Sequence, residues 1–179
     1  ADLAVFNKST GRWFIRSTTG ALLAWNHAWG WSGAIPVTGD YDGDNRTDLA
    51  VFNDVTGKWF IKTLSGTLLA WDMAWGWSGA VPVPGDYDGD GKYDLAVFDK
   101  TTGRWFIRSL NGALIAWNVA WGWSGTVPAP GDYNGDGKHD LAVYFPDAGK
   151  WYAMSVSGAP IIWGAAWGWP AAYPVGKAP

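Results

Sequence analysis

A chain of 179 residues that is 48% hydrophobic can bury a substantial core as a single domain, with no need of a disulfide or an oligomer. It has no cysteine, which excludes thiol catalysis, cysteine zinc sites and any disulfide framework. The net charge of -3, a pI near 5.1 and scattered basic residues argue against a nucleic-acid partner, and no apolar run reaches membrane-spanning length. No signal peptide opens the chain, which starts at Ala1 inside a motif, as expected of a mature protein or an excised piece.

Repetition organises everything that follows. The run Asp2-Leu3-Ala4-Val5-Phe6 returns every 46 residues, as Asp48 to Phe52, Asp94 to Phe98 and Asp140 to Tyr144. Four units result, at about 2–47, 48–93, 94–139 and 140–179, in one domain spanning 1–179. The 16 tryptophans keep the same clock in four series of four, headed by Trp13, Trp25, Trp29 and Trp31. Periodic aromatics among 25 glycines are a cue for blade-like β architecture.

Within a unit the pattern predicts four short strands. Residues 49–53 are a β-branched and aromatic run, Val55-Thr56-Gly57 is a turn, and 58–63 resumes with Trp59, Phe60 and Ile61. After the turn at Ser65-Gly66 comes a third strand, 67–72. Gly76-Trp77-Ser78-Gly79 breaks it, and 81–83 leads into an acidic loop. No helical period is sustained, and the consecutive apolar residues of several strands require both faces to be covered. The expected fold is therefore all-β, a β-propeller with four 46-residue blades. The chain begins with the second strand of the pair that the acidic loop joins and finishes with the first, Tyr173-Pro174-Val175. Pairing that C-terminal strand with the N-terminal blade would close the ring, and the alternative is half of a larger propeller shared by two chains.

The acidic loop offers side-chain oxygens at positions one, three, five and nine, as in Asp86, Asp88, Asp90 and Asp94, with the backbone carbonyl of Lys92 at position seven. A hard cation that wants six to eight oxygens is wrapped in this way, and calcium is the natural occupant. Gly89 and Gly91 permit the turns, and Asn45 can replace a glycine because asparagine tolerates left-handed backbone. Four carboxylates in nine residues repel one another unless a cation sits among them. The fourth unit has Ala178 where Asp40 would recur, so three calcium sites are expected. A fully wrapped ion holds geometry and leaves no open position for a ligand.

The acidic loop, the following Asp-Leu-Ala-Val-Phe, the Gly-Arg/Lys-Trp strand and the Trp-Gly-x-Ser-Gly-x-x-Pro approach stand in register over essentially the whole chain. At residues 36–52, 82–98 and 128–144 the sequence resembles the FG-GAP/VCBS repeat family. That resemblance implies calcium-binding propellers of secreted or cell-surface proteins, among them integrin α-heads and lectins that hold sugars between blades. The implied calcium ligands are Asp40, Asp42, Asp44 and Asp48, then Asp86, Asp88, Asp90 and Asp94, then Asp132, Asn134, Asp136 and Asp140, with carbonyls of Arg46, Lys92 and Lys138. Two departures stand out: relatives mostly close with six to eight blades, and residues matching Trp25 and Trp31 are usually not tryptophan.

Function is expected in the segment 24–33 and its copies. An indole offers a large rigid face on which a pyranose can stack, with polar neighbours to take hydroxyls. The candidates are Trp25, Asn26, Trp31 and Ser32, then Trp71, Asp72, Trp77 and Ser78, then Trp117, Asn118, Trp123 and Ser124. In the last unit Gly164 and Pro170 replace the polar partners, so that copy is expected to be weak or absent. The Trp13 and Trp29 series are assigned to the core, and the burial habit of large aromatics draws the Trp25 series the same way. The Trp31 series, flanked by glycine and serine, can reach solvent. A non-catalytic, multivalent carbohydrate-binding module is the expected function, with a structural or protein-interaction propeller as its rival. His27 and His139 fall outside the repeated design, and no nucleophile elbow, zinc spacing or further carboxylate pair accompanies them, so no enzyme is expected.

Overall fold

The computed structural model describes residues 3–175, and these are all-β. Three strands, β1 (Leu3–Asn7), β2 (Arg12–Arg16) and β3 (Leu22–Ala28), form the first antiparallel sheet. The second is β4 (Ile35–Pro36), β5 (Leu49–Asn53), β6 (Lys58–Lys62) and β7 (Leu68–Ala74). The third is β8 (Val81–Pro82), β9 (Leu95–Asp99), β10 (Arg104–Arg108) and β11 (Leu114–Ala120), and the fourth is β12 (Val127–Pro128), β13 (Leu141–Phe145), β14 (Lys150–Met154) and β15 (Pro160–Ala166). Strands follow chain order within every sheet, so these are four blades of the β-propeller type. The first two blades lie in one compact unit and the last two in another, divided between Gly79 and Ala80.

Each blade starts with the strand before the acidic loop, which shifts its bounds against the sequence period: Ile35 opposes Phe52, and Pro36 opposes Val51. Leu49, Ala50, Val51 and Phe52 are all 0% exposed, which confirms that both faces of β5 are covered. The first blade differs. Leu3 is 63% and Val5 65% exposed, and the sheet has three strands among the described residues. Tyr173, Pro174 and Val175 carry no strand assignment. The rest of that terminal segment, 176–179, lies outside the described residues, as does Ala178, the substitute for a fourth Asp40.

The third strand runs two residues past its expected end because it is bulged. Trp59 faces Met73 but Ile61 faces Ala70, so Trp71 and Asp72 together oppose Phe60. Asp72 takes the left-handed conformation, φ 56°, that such a bulge requires, and Asn26, Asn118 and Gly164 do the same at φ 55°, 59° and 65°. Those residues tolerate this geometry best, so their identity already has a backbone explanation.

The Trp13 series forms the expected core. Trp13, Trp59 and Trp105 are 0–1% exposed, and Trp151 is half-buried. Their indole N–H groups donate to the carbonyls of Trp29, Trp75, Trp121 and Trp167 at 2.6–2.8 Å, which ties the core tryptophan to the segment after the third strand. A second tie lies beside it. Gly11 N–H donates to Asn7 O at 2.8 Å while its own carbonyl accepts Trp29 N–H at 3.2 Å, and the same glycine recurs as Gly57, Gly103 and Gly149.

The Trp29 series corrects the core assignment. Trp29, Trp75 and Trp121 are half-buried and Trp167 is 82% exposed, and the Trp29 and Trp121 indoles stand against the next blade of their own unit. Trp29 Nε1 donates to Phe60 O at 3.2 Å, whereas Trp121 Nε1 is buried with no hydrogen-bond partner. Trp29→Phe therefore removes a hydrogen bond worth about 1 kcal/mol and Trp121→Phe removes none. Denaturant melts of the two variants are expected to show Trp121→Phe less destabilising by about 1 kcal/mol.

Candidate functional site

The acidic loop leaves the end of β4 and closes on itself before β5. Asp48 N–H donates to Gly39 O at 2.7 Å, and the same bridge joins Gly85 to Asp94 and Gly131 to Asp140. Tyr41 pins the loop from inside: its hydroxyl donates to Val37 O at 2.6 Å and its N–H to Asp48 Oδ2 at 2.8 Å. Tyr87 and Tyr133 repeat both bonds. These tyrosines were legible as a 46-residue recurrence yet are no part of the ligand pattern. The first carboxylate organises the turn, since Asp40 accepts from Gly43 and Asn45 N–H at 2.6 and 2.7 Å. Gly43 and Asn45 take φ 83° and 63° to aim those donors inward.

The result is a concentration of negative charge. Ligand oxygens of Asp40, Asp42 and Asp48 lie within 4.8 Å of one another, and so do those of Asp86, Asp88 and Asp94. At that spacing each pair repels by about 3 kcal/mol at a near-surface dielectric of about 20, before screening by solvent. Asp48 is 2% and Asp94 1% exposed, and burial, reinforced by the neighbouring carboxylates against the tyrosine N–H, pushes each carboxyl up to about 7. Burial raises Asp140 as well. Buried acidic oxygens gathered around one point, with turn geometry already set, fit a hard divalent cation: the donors are all oxygen, and a cation removes the repulsion.

Other predicted ligands are placed differently. Asp44 and Asp90 accept the N–H groups of Arg46 and Lys92 at 2.8 and 2.9 Å, which orients the position-seven residues. In the third loop Asn134 stands for an aspartate, so its amide oxygen offers no charge; it accepts Asp136 N–H at 2.8 Å and donates to Asp136 Oδ2 at 3.1 Å. Asp132 sits below the usual carboxylate range because Gly137, Gly135 and Asp136 N–H groups turn toward it. Loops two and three touch: His139 N–H donates to Asp86 O at 2.6 Å, and its ring lies 5.8 Å from Tyr87 and 5.6 Å from Tyr93. His139 is thus a packing residue. His27, on β3, is held below its ordinary value by burial and by Lys62.

The tryptophans make a second feature. Trp25, Trp71, Trp117 and Trp163 are 62–76% exposed, so the lean toward the core is overturned; the bulge breaks alternation and turns this indole outward. Each stands nearly perpendicular to a ring on its neighbouring strand: Trp25 to Phe14 and Trp71 to Phe60, both at 5.2 Å, Trp117 to Phe106 at 5.2 Å, and Trp163 to Tyr152 at 5.7 Å. The Trp31 series is less open. Trp31 is half-buried, and Trp77 and Trp123 are 38% exposed.

What spacing could not show is how consecutive blades share these rings. In the first unit Phe60 is flanked by Trp71 of its own blade and by Trp31 of the preceding one, 5.0 Å away, while Trp29 lies 5.8 Å from Trp71. In the second unit Tyr152 is flanked in the same way by Trp163 and Trp123, and Trp121 lies 5.8 Å from Trp163. Lys62 Nζ sits 4.6 Å over the Trp29 ring, a cation–π contact with no lysine at the matching Met154.

The proposed polar partners divide. Asn26 and Asn118 offer carbonyls already accepting Arg12 and Arg104 at 2.9 and 3.0 Å, and Asp72 is paired with Lys58 at 2.6 Å. Ser32, Ser78 and Ser124 are exposed in the turn after the Trp31 series.

Blades whose first two strands are joined by an acidic, tyrosine-pinned loop define a class of repeat protein, and two of its loops here could hold a metal ion. The chain belongs to the FG-GAP-like repeat family, whose pattern matches residues 40–97 and again 86–143, more than half its length. No curated protein matches it. Among the described residues no helix is long and apolar enough to cross a membrane.

Proposed function

We propose that this chain is a calcium-stabilised, non-catalytic carbohydrate-binding module that works outside the cell. The observation that carries the reading is the exposure of Trp25, Trp71, Trp117 and Trp163 at 62–76%, one copy per blade. A soluble surface rarely spends four large indoles without a partner, and copies on a rigid repeat suit a repetitive ligand such as a glycan. Each indole is held edge-on by a neighbouring ring, so it is fixed before ligand arrives and little ordering entropy is lost on binding. Ser32, Ser78 and Ser124 supply free hydroxyls, and Asn26, Asp72 and Asn118 supply side-chain polarity beside the indole.

Calcium has a structural part in this proposal. Asp40, Asp42 and Asp48, and Asp86, Asp88 and Asp94, would hold two ions, and Asp132, Asn134 and Asp140 a third, weaker one because asparagine brings one negative charge fewer. The acidic loop follows β4 and the Trp31 turn precedes it, so the two features lie at opposite ends of that strand. Loss of calcium would impair sugar binding through the fold.

A second reading, a protein-interaction propeller, draws on Leu22, Leu68 and Leu114, 55–63% exposed on the same strands as the open tryptophans. A glycan array probed with labelled protein separates the two. Binding to a narrow glycan set is expected, reduced at least about a hundredfold by Trp25→Ala/Trp71→Ala/Trp117→Ala once avidity is lost. The far-UV spectrum should be unchanged, since exposed substitutions move stability by only about 0.5 kcal/mol. No glycan bound by folded protein would transfer the weight to the protein-interaction reading.

A further inference from the structure

Basic residues that look scattered along the chain are gathered by the repeat onto one face of each blade. Side chains alternate along a strand, so Arg12, Phe14 and Arg16 share a face of β2 while Trp13 and Ile15, 1% and 5% exposed, point to the other. The shared face is that of the open indole, because Phe14 is the ring against which Trp25 stands. The other blades repeat it with Lys58, Phe60 and Lys62 beside Trp71, with Arg104, Phe106 and Arg108 beside Trp117, and with Lys150, Tyr152 and Met154 beside Trp163. Eight positions thus flank the four rings, each about 7 Å along the strand from its ring. Seven of the eight hold lysine or arginine, and Met154 is the exception. Negative charge is kept elsewhere. Eleven of the 16 acidic residues lie in the three acidic loops, and on the second and third strands of the four blades Asp72 is the one acid. The net charge of -3 is therefore a property of the loops, and the indole face is basic. Two of its cations are anchored at the indole: Arg12 and Arg104 donate from Nη1 to the carbonyl of the residue after the open tryptophan, at 2.9 and 3.0 Å. One donor of each guanidinium is spent in this way, and the rest of its fork can take a ligand.

We infer that the glycan bound at these indoles is acidic, carrying carboxylate or sulfate groups. The inference rests on the carbohydrate reading proposed above and adds the charge of its ligand. A pyranose stacked on Trp25 has Arg12 to one side along the strand and Arg16 to the other. A guanidinium pairs with a carboxylate or sulfate through two parallel N–H bonds, so charge and geometry are read together. The copies differ in strength for reasons visible in each blade. In the first and third, Asn26 and Asn118 stand where the second has Asp72, so no carboxylate at that position competes for Arg12 or Arg104. In the second blade Asp72 neutralises Lys58 at 2.6 Å, and Lys62 is partly engaged by the Trp29 ring. The fourth has methionine for its second cation. The first and third blades are therefore the strongest sites.

An array of matched glycans, the same backbones with and without uronate carboxylates or sulfate esters, tests this on the whole chain in calcium buffer. Acidic members are expected to bind at least about tenfold tighter than their neutral counterparts, the worth of one charge-assisted hydrogen bond. The members retained report whether carboxylate or sulfate is read. Their binding should weaken as salt rises from about 50 to about 300 mM, because the paired charges are screened. Arg12→Gln/Arg104→Gln should lower it at least about tenfold. Asp72→Asn should raise it about two- to fivefold, since it releases Lys58 and gives the second blade the asparagine of the first and third, at a φ of 56° that asparagine tolerates. A gain of affinity cannot come from a damaged fold, so this variant decides the matter even if the arginine variants unfold. Equal binding of acidic and neutral glycans, or an Asp72→Asn chain that binds acidic glycans less tightly, overturns the inference and leaves the carbohydrate reading standing. A single-stranded DNA oligonucleotide held as tightly as the acidic glycans also overturns it, since the face then reads charge without sugar. No glycan bound at all overturns both.

Discussion

Removing calcium with a chelator is expected to lower the melting temperature of this chain by roughly 15–30 °C. An ion held at a free concentration 100-fold above its dissociation constant stabilises the folded state by about 2.7 kcal/mol per site, and in a chain of this length each kcal/mol moves the midpoint by about 2–4 °C. On the proposed reading the ions dominate the stability, because two of the loops gather carboxylate oxygens, one of each set buried, that repel one another without a cation. The pH dependence should reverse between the two states. In the calcium-free chain the folded carboxyls of Asp48 and Asp94 titrate near 7, whereas unfolded aspartates titrate near about 3.9. Between those values the folded state binds more protons, so metal-free stability falls as pH rises from about 4 to 7. With calcium present the carboxylates must be deprotonated to bind, and stability rises over the same interval. Calorimetry at pH 4.5, 6 and 7.5, with and without chelator, reads both slopes. A midpoint indifferent to chelator would remove the cation from the account.

Gly57→Ala is expected to cost about 3 kcal/mol or more, among the largest effects of any single substitution in the chain. Two independent penalties combine. Gly57 sits at φ 69°, in left-handed backbone that costs an L residue about 1–2 kcal/mol. Its missing Cβ would also lie 2.2 Å from the carbonyl carbon of Gly76, a backbone atom that cannot swing aside. Gly57 O accepts Trp75 N–H at 3.1 Å, so any retreat breaks the tie that holds the third tryptophan series against the core. Gly66→Ala is the control: it shares a left-handed φ of 102° but meets nothing within 4 Å, so its loss is limited to backbone strain. Urea melts of both variants measure the difference, and equal losses would assign the whole effect to φ.

Much of this was legible because the repeat writes each signal several times. The β5 run at Leu49–Asn53 was read at its observed bounds, since four consecutive apolar residues flanked by an acidic loop and a Val-Thr-Gly turn admit little else. The acidic loops were legible from alternating aspartates, and what spacing did not show is that Asp44 and Asp90 orient backbone N–H groups beside the clustered triads. Tyr41 was visible but unread, because a buried phenol that pins a loop is indistinguishable in sequence from one that only fills space. The Trp25 series is exposed against the burial habit of large aromatics, because the third strand is bulged where it stands. The bulge at Asn26, Asp72 and Asn118 is not visible in spacing, and their left-handed backbone gives the identity of these residues a conformational reason of its own.

The sequence by itself determined the period, the all-β blades and the acidic loops, because those follow from local spacing repeated at 46 residues. Only the tertiary structure decided which tryptophan faces water, and that Phe60 and Tyr152 stand between indoles of two successive blades. The physical reason is that burial of a side chain belongs to its neighbour as much as to itself. A repeat therefore shows in its sequence which residues recur, and only in its fold what each of them packs against.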